Sequence, residues 1–243
     1  MTKTISLLLA IAMVLSLAAC ATTGKQQTDS GPSDQAISGI GFSETEAPGS
    51  DSLQSAEQAG GGEQGGHILV AYFSWADNAV LAEDVDAVAS PSVIPPGNVQ
   101  QLAGWVQEET GGDLFSIRVA DPYPSDWDEC LARANRERSD NARPELVEGV
   151  ENLDQYDTVF LGYPNWWYGV PMALLTFLEQ NDLSGKRVYL FCSHGTGGLA
   201  RSVEIISEAA PNAVISDNIF DCYEEDASSS QVDIQNWAAG LGY

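Results

Sequence analysis

Three short segments concentrate the residue types that could handle a ligand: Ser74-Trp75-Ala76-Asp77-Asn78, Tyr163-Pro164-Asn165-Trp166-Trp167-Tyr168-Gly169 and Ser193-His194-Gly195-Thr196-Gly197-Gly198. Each mixes polar side chains with aromatic rings or glycines. That set suits a flat aromatic ligand carrying a phosphate, because rings stack, glycines admit the backbone closely, and hydroxyls with N–H groups hold the anion. Other chemistries lack their parts. His67 and His194 lie far apart and the four cysteines form no CxxC pair, so neither a zinc site nor a dithiol redox pair has its ligands. The Gly-x-Ser-x-Gly nucleophile elbow is missing, which argues against reading the loop from His194 as a lipase oxyanion loop. Demanding chemistry therefore falls to a bound cofactor.

The elements around these segments alternate. Strand-like runs cover 67–73, 113–119, 158–162, 187–192 and 213–220, and three of them are nearly continuous apolar runs, the mark of strands buried on both faces. Helical patterns fall between or after them at 98–110, 127–138, 170–181, 198–210 and near 230–239, the last preceded by serines placed to cap it. Five strands alternating with five helices imply right-handed crossovers and a parallel sheet covered on both sides. In such sheets ligands bind beyond the carboxyl ends of the strands, and the three polar segments follow strands one, three and four.

The composition is that of a globular chain, with 44% hydrophobic and 19% charged residues in 243. Ten Lys and Arg against 35 Asp and Glu give a formal charge of −25, with no basic run to neutralise phosphates, so nucleic-acid binding is excluded. Residues 67–243 hold eight basic against 28 acidic residues, a formal charge of −20, which places the acidity on the folded part. It reads either as an evenly solvated surface or as a field that attracts a basic partner and repels an anionic membrane.

The N-terminus has a separate logic. Lys3 precedes an apolar stretch over 5–19, shorter than the ~20 residues of a membrane span, and the stretch reads as an export signal. Its end, Leu17-Ala18-Ala19-Cys20, resembles the bacterial lipobox, which implies lipidation of Cys20 and a membrane anchor outside the cytoplasm. The stretch 21–66 is rich in Gly, Ser, Gln and Thr and too poor in apolar groups to offset ordering entropy. It is expected to be a tether with an end-to-end distance of about 35–40 Å.

Tyr72-Phe73-Ser74, Gly162-Tyr163-Pro164-Asn165-Trp166-Trp167, Pro171-Met172, Phe177-Leu178-Glu179, Leu183-Ser184-Gly185-Lys186 and Ser193 to Gly198, in this order and spacing, resemble the flavodoxin-like family, in particular its short bacterial FMN-binding branch. Ala142-Arg143-Pro144-Glu145-Leu146 fits the same branch. The resemblance implies a doubly wound five-stranded α/β sheet of strand order 2-1-3-4-5 over 67–243, with FMN as cofactor. Ser74 matches the first phosphate hydroxyl, and Gly97-Asn98-Val99 resembles the Gly-Asn-Thr that opens helix one. A long insertion, with acids at Glu83, Asp84 and Asp86, separates the two, and Val99 lacks the usual hydroxyl. The alternative is that Ser74 and Asn98 merely cap a turn and a helix.

By the same resemblance Pro164, Asn165, Trp166, Trp167 and Tyr168 border the flavin ring, one tryptophan packing into the core and the other toward the ligand. Gly169 would let a peptide turn its carbonyl to the flavin N5–H. Ser193, His194, Gly195, Thr196, Gly197 and Gly198 would line the pyrimidine side, with His194 near N1 or simply structural. The function implied is electron transfer by a membrane-tethered flavoprotein with a basic redox partner. An NAD(P)H-dependent quinone or nitro reductase and a flavin-free binding module remain alternatives. Cys130, Cys192 and Cys222 are read as free thiols, with a Cys192–Cys222 bridge as the alternative.

Overall fold

A computed structural model describes residues 67–81 and 91–243. The expected signal segment, Cys20, the tether and the acids at 83–86 lie outside the described residues. Among the described residues no helix is long and apolar enough to cross a membrane.

The strands are β1 (His67–Tyr72), β2 (Ala79–Val80), β3 (Asp113–Ser116), β4 (Tyr123–Pro124), β5 (Tyr156–Pro164), β6 (Arg187–His194), β7 (Val214–Ile215) and β8 (Phe220–Tyr223). The helices are α1 (Asn98–Thr110), α2 (Trp127–Ser139), α3 (Met172–Gln180), α4 (Ser202–Ala209) and α5 (Gln231–Gly240). The main sheet is parallel in the order β3-β1-β5-β6-β7, with β8 also paired to β6, while β2 and β4 form a separate two-stranded ribbon. In units of the five expected runs this is the order 2-1-3-4-5. Tyr72 pairs with Gly162 and Pro164 with Ser193, so the loops after β1, β5 and β6 leave the sheet side by side.

Alternation along the strands builds two cores. Leu69 and Ala71 of β1 point toward α3 and α4, joining Leu161, Leu190, Leu174, Phe177 and Ile206, whereas Val70 and Tyr72 point toward α1 and α5, joining Phe160 and Phe191. In α1 the buried Val99, Leu102, Ala103 and Val106 recur at helical spacing on one face. Burying a side chain such as Leu102 contributes about 1.5–3 kcal/mol. The helix stops at Gly111, whose φ of 68° is left-handed and whose N–H closes on Gln107 O at 2.8 Å. Asp126 starts α2 by accepting from Glu129 N.

Four expectations are corrected. The fifth run is not one strand but β7 and β8, separated by 216–219. The second strand ends at Ser116 rather than 119, and Val119 instead bridges Leu146 in antiparallel fashion. The fourth helix begins at Ser202 rather than 198, because Gly198 (φ 57°) and Ala200 (φ 42°) hold left-handed turn conformations. Ser230 stands at the start of α5 but does not cap it, since its hydroxyl donates to Asp226 O at 2.9 Å.

Candidate functional site

A cavity of about 310 Å³ opens at the carboxyl ends of β1, β5, β6 and β8. Ser74 lines it from the loop after β1, and Asn98 with Val99 from the start of α1. Pro164, Asn165, Trp166, Trp167 and Tyr168 form the wall beyond β5, and Ser193, His194, Gly195, Thr196 and Gly197 the wall from β6. Of the residues singled out in the sequence, Gly97, Gly169 and Gly198 do not line it.

The floor is built by a buried amide. Asn78 donates from Nδ2 to Ser74 O at 2.8 Å and to Ile117 O at 3.0 Å, while its Oδ1 accepts from Val119 N at 2.8 Å. These bonds fix the turn that presents Ser74. Gly97 stands at the N-cap of α1, where its N–H donates to Gln100 Oε1 at 3.2 Å. A Cβ here would lie 2.8 Å from both Ala76 Cβ and Ser92 O, so only glycine lets the helix start this close to the Ser74 turn. Beyond this Gln100 contact no side chain caps α1, whose intrahelical backbone bonding begins with Gln101 N to Gly97 O. The preceding N–H groups therefore have no intrahelical acceptor, and the positive end of the helix points at the cavity rim.

Asn98 does not cap its helix. Its Nδ2 donates to Glu224 O at 2.8 Å and to Ser193 Oγ at 3.4 Å, tying α1 to two other rim segments. Asn165 is likewise a strut, its Nδ2 donating to Gly198 O and its N–H to Ser193 O at 2.9 Å.

The aromatic wall divides its labour. Trp166 packs edge-on against Phe73, Trp75 and Tyr123 with ring centroids 5.5, 6.4 and 5.3 Å away, so it is the tryptophan that reaches the core. Trp167 and Tyr168 carry φ of 51° and 60° in a tight turn closed by Gly169 N to Trp166 O at 3.0 Å. Left-handed backbone in two successive aromatic residues costs about 1–2 kcal/mol each. Such strain persists where surrounding structure imposes it, often at sites that bind. Gly169 itself has ordinary φ and packs toward Ile205, so the unusual backbone belongs to its two predecessors. The exposed Tyr168 ring lies over Gly197, where an added Cβ would sit 3.0 Å from it.

His194 lies with Nε2 2.8 Å from Asp221 Oδ2 and Nδ1 2.9 Å from Gly195 O. Burial pushes Cys130 up to about 12 and Cys222 up to about 11 and raises Cys192 as well, and these three cysteines of the described residues are free and unsuited to act as ready thiolates. Trp75 of the first segment also lines the cavity, as do Ser92, Trp127, Tyr223 and Glu224, which lie outside the segments read from the sequence. Tyr223 and Glu224 follow the carboxyl end of β8. Placing the fifth strand at 220–223 instead of 213–220 would have pointed to them. Burial raises the Glu224 carboxyl above its usual range, its neighbour Glu225 adds to the rise, and His194 opposes it.

An uncapped helix end beside the Ser74 turn, a wall of aromatic rings and a glycine loop open to close approach together fit a planar ligand with an anionic tail. Residues 86–239 match the flavodoxin family. The chain belongs to that family. A protein of Bacteroides eggerthii, provisionally designated a flavoprotein, is 27% identical to this flavodoxin-family chain, with a TM-score of 0.55 over 73% of it and 98% of its own length. A second, from Bacteroides uniformis and designated in the same way, is 25% identical, with a TM-score of 0.56 over 72% and 99%. No curated protein matches the chain significantly.

Proposed function

We propose that the domain binds FMN noncovalently and serves as an electron-transfer protein tethered through Cys20 to the outer face of a bacterial membrane. The observation that carries this reading is the pairing, within one cavity, of the uncapped start of α1 beside Ser74 with the Trp166–Tyr168 wall opposite the 194–197 loop. When bound, FMN supplies the redox chemistry.

The protein's own groups supply position and environment. Ser74 and the first N–H groups of α1 hold the phosphate, in a site that the dipole of α1 favours for a dianion. Trp167 and Tyr168 cover the ring and exclude water, and the backbone of Gly195 to Gly197 meets its polar edge. Trp166 anchors the covering turn to the core through Phe73 and Tyr123. The acidic domain favours brief docking with a basic redox partner.

The test is titration of the purified, flavin-free chain with FMN. Saturable quenching of tryptophan emission and a yellow protein absorbing near about 450 nm are expected. Unchanged emission at saturating FMN would sink the reading and leave a flavin-free module. Rapid bleaching of the bound flavin by NADPH in stopped flow would replace the carrier by a reductase. Lipidation is checked by mass spectrometry of the mature N-terminus, with Cys20→Ala as the control.

A further inference from the structure

A second cavity, of about 220 Å³, lies beside the first and shares Trp75, Trp127, Asn165, Trp166 and Trp167 with it, while reaching Cys130 and Leu131 on α2. Its wall is a chain of four indoles. Trp127 and Trp75 meet at 58° with centroids 6.0 Å apart, Trp75 and Trp166 at 85° and 6.4 Å, and Trp166 and Trp167 at 90° and 5.9 Å. Neighbouring rings thus form corners instead of a parallel slot, a shape that suits a rounded group better than a flat one.

Some of the polar groups at this wall are committed elsewhere. Trp75 Nε1 donates to Pro124 O at 3.1 Å, and Asn165 donates from Nδ2 to Gly198 O and from its backbone N–H to Ser193 O. None of the lining side chains is an acid or a base. Indoles dominate the lining, and the negative face of an indole attracts cations. Charge agrees with this. Residues 67–243 carry a formal −20, and exposed Asp126, Asp128 and Glu129 flank Trp127. A compact, strongly hydrated ammonium would lose its water here with few hydrogen-bond acceptors in return, since Asn165 is the one lining side chain that carries a carbonyl oxygen. A quaternary ammonium, with no N–H to satisfy and a low desolvation penalty, would not.

We propose that this four-tryptophan cavity, which adjoins the cavity assigned to FMN and shares five lining residues with it, is a binding site for a trimethylammonium group. Cation–π attraction in a desolvated site contributes enough per ring that removing one tryptophan weakens binding by about five- to thirtyfold.

The experiment is calorimetric titration of the purified, flavin-free chain at fixed ionic strength with choline and with its uncharged isostere 3,3-dimethyl-1-butanol. Saturable binding of choline, about tenfold or more tighter than the isostere, is expected. Leu131→Trp, at a position on α2 that lines the second cavity and not the first, is expected to abolish choline binding. Equal affinity for choline and the isostere overturns the proposal, as does an absence of choline binding. So does choline binding that survives in folded Leu131→Trp. The isostere comparison needs no variant, so it stands even where that substitution prevents folding. Because FMN affinity is measured separately, failure here leaves the flavin reading intact.

Discussion

Asn98, the first residue of α1, donates from Nδ2 to the carbonyl oxygen of Glu224, 126 positions further along the chain, at 2.8 Å. The bond closes one side of the ligand cavity by joining the segment after β8 to the start of the first helix. Asn98 is 4% exposed, and its removal leaves the part-buried carbonyl of Glu224 without this donor. Asn98→Ala is expected to lower stability by about 1–3 kcal/mol and to weaken FMN binding as the rim loosens. Denaturant melts and fluorescence titration measure the two effects, and a variant that keeps both at wild-type values contradicts the assignment.

Asn78 makes three buried hydrogen bonds around the Ser74 turn and is 2% exposed. An isosteric apolar replacement, Asn78→Leu, leaves two carbonyls and one N–H unpaired, and stability is expected to fall by about 3 kcal/mol or more. Thermal melting read by near-ultraviolet circular dichroism reports the loss.

Tyr168 combines exposure, a left-handed backbone and a place on the ligand wall. Glycine relieves the backbone strain and removes the ring. Tyr168→Gly is expected to be as stable as the parent or more stable by up to about 1 kcal/mol. Its FMN affinity should drop all the same. Opposite movement of melting temperature and affinity is the signature to look for, and a parallel fall in both would show that the ring serves the fold.

Glu224 gives a pH-dependent prediction. Its carboxyl is raised by burial and by Glu225, so the folded state prefers the protonated form. The stability tied to that preference is fully present below the ordinary carboxylate range and is lost as pH rises through the raised one. Glu224→Gln is therefore expected to melt higher than the parent near neutral pH, with the difference vanishing in acid. It should also bind the phosphate of FMN more tightly at neutral pH, where the parent holds a charge at the cavity wall. Melting curves across pH, compared between parent and variant, decide it.

The central strands were legible because long apolar runs such as 158–162 and 187–192 have no helical reading once flanked by polar, glycine-rich loops, whereas their order followed from the family resemblance. α1 was legible over its full length, since Val99, Leu102, Ala103 and Val106 keep helical spacing and Gly111 stops the chain. The last strand was harder to read. Val214, at 59% exposure, and its neighbours resemble a strand by β-propensity, but the longer pairing with β6 is made by Phe220–Tyr223, a segment containing Asp221 and Cys222. Tertiary pairing, not local preference, decides that position. At the site, residue types showed which loops mattered but not which amides were occupied. Asn98 and Asn165 look like ligand donors in sequence and prove to be cross-loop struts, because their partners lie on segments that only the fold brings near. Trp127 could not have been found by loop composition, since it enters the site from the first turn of a helix.

That helix also reaches the site from its other end. Arg138, in the last turn of α2, donates to Trp167 O at 3.0 Å, while Trp127 in the first turn borders the same rim. The body of α2 is pinned separately to β4, with Arg133 over the Tyr123 ring at 4.1 Å and Tyr123 donating to Glu137 at 2.7 Å. A lengthwise slide of this rod by one residue would drag both contacts at once, so the segments leading into and out of it tolerate point changes far better than insertions.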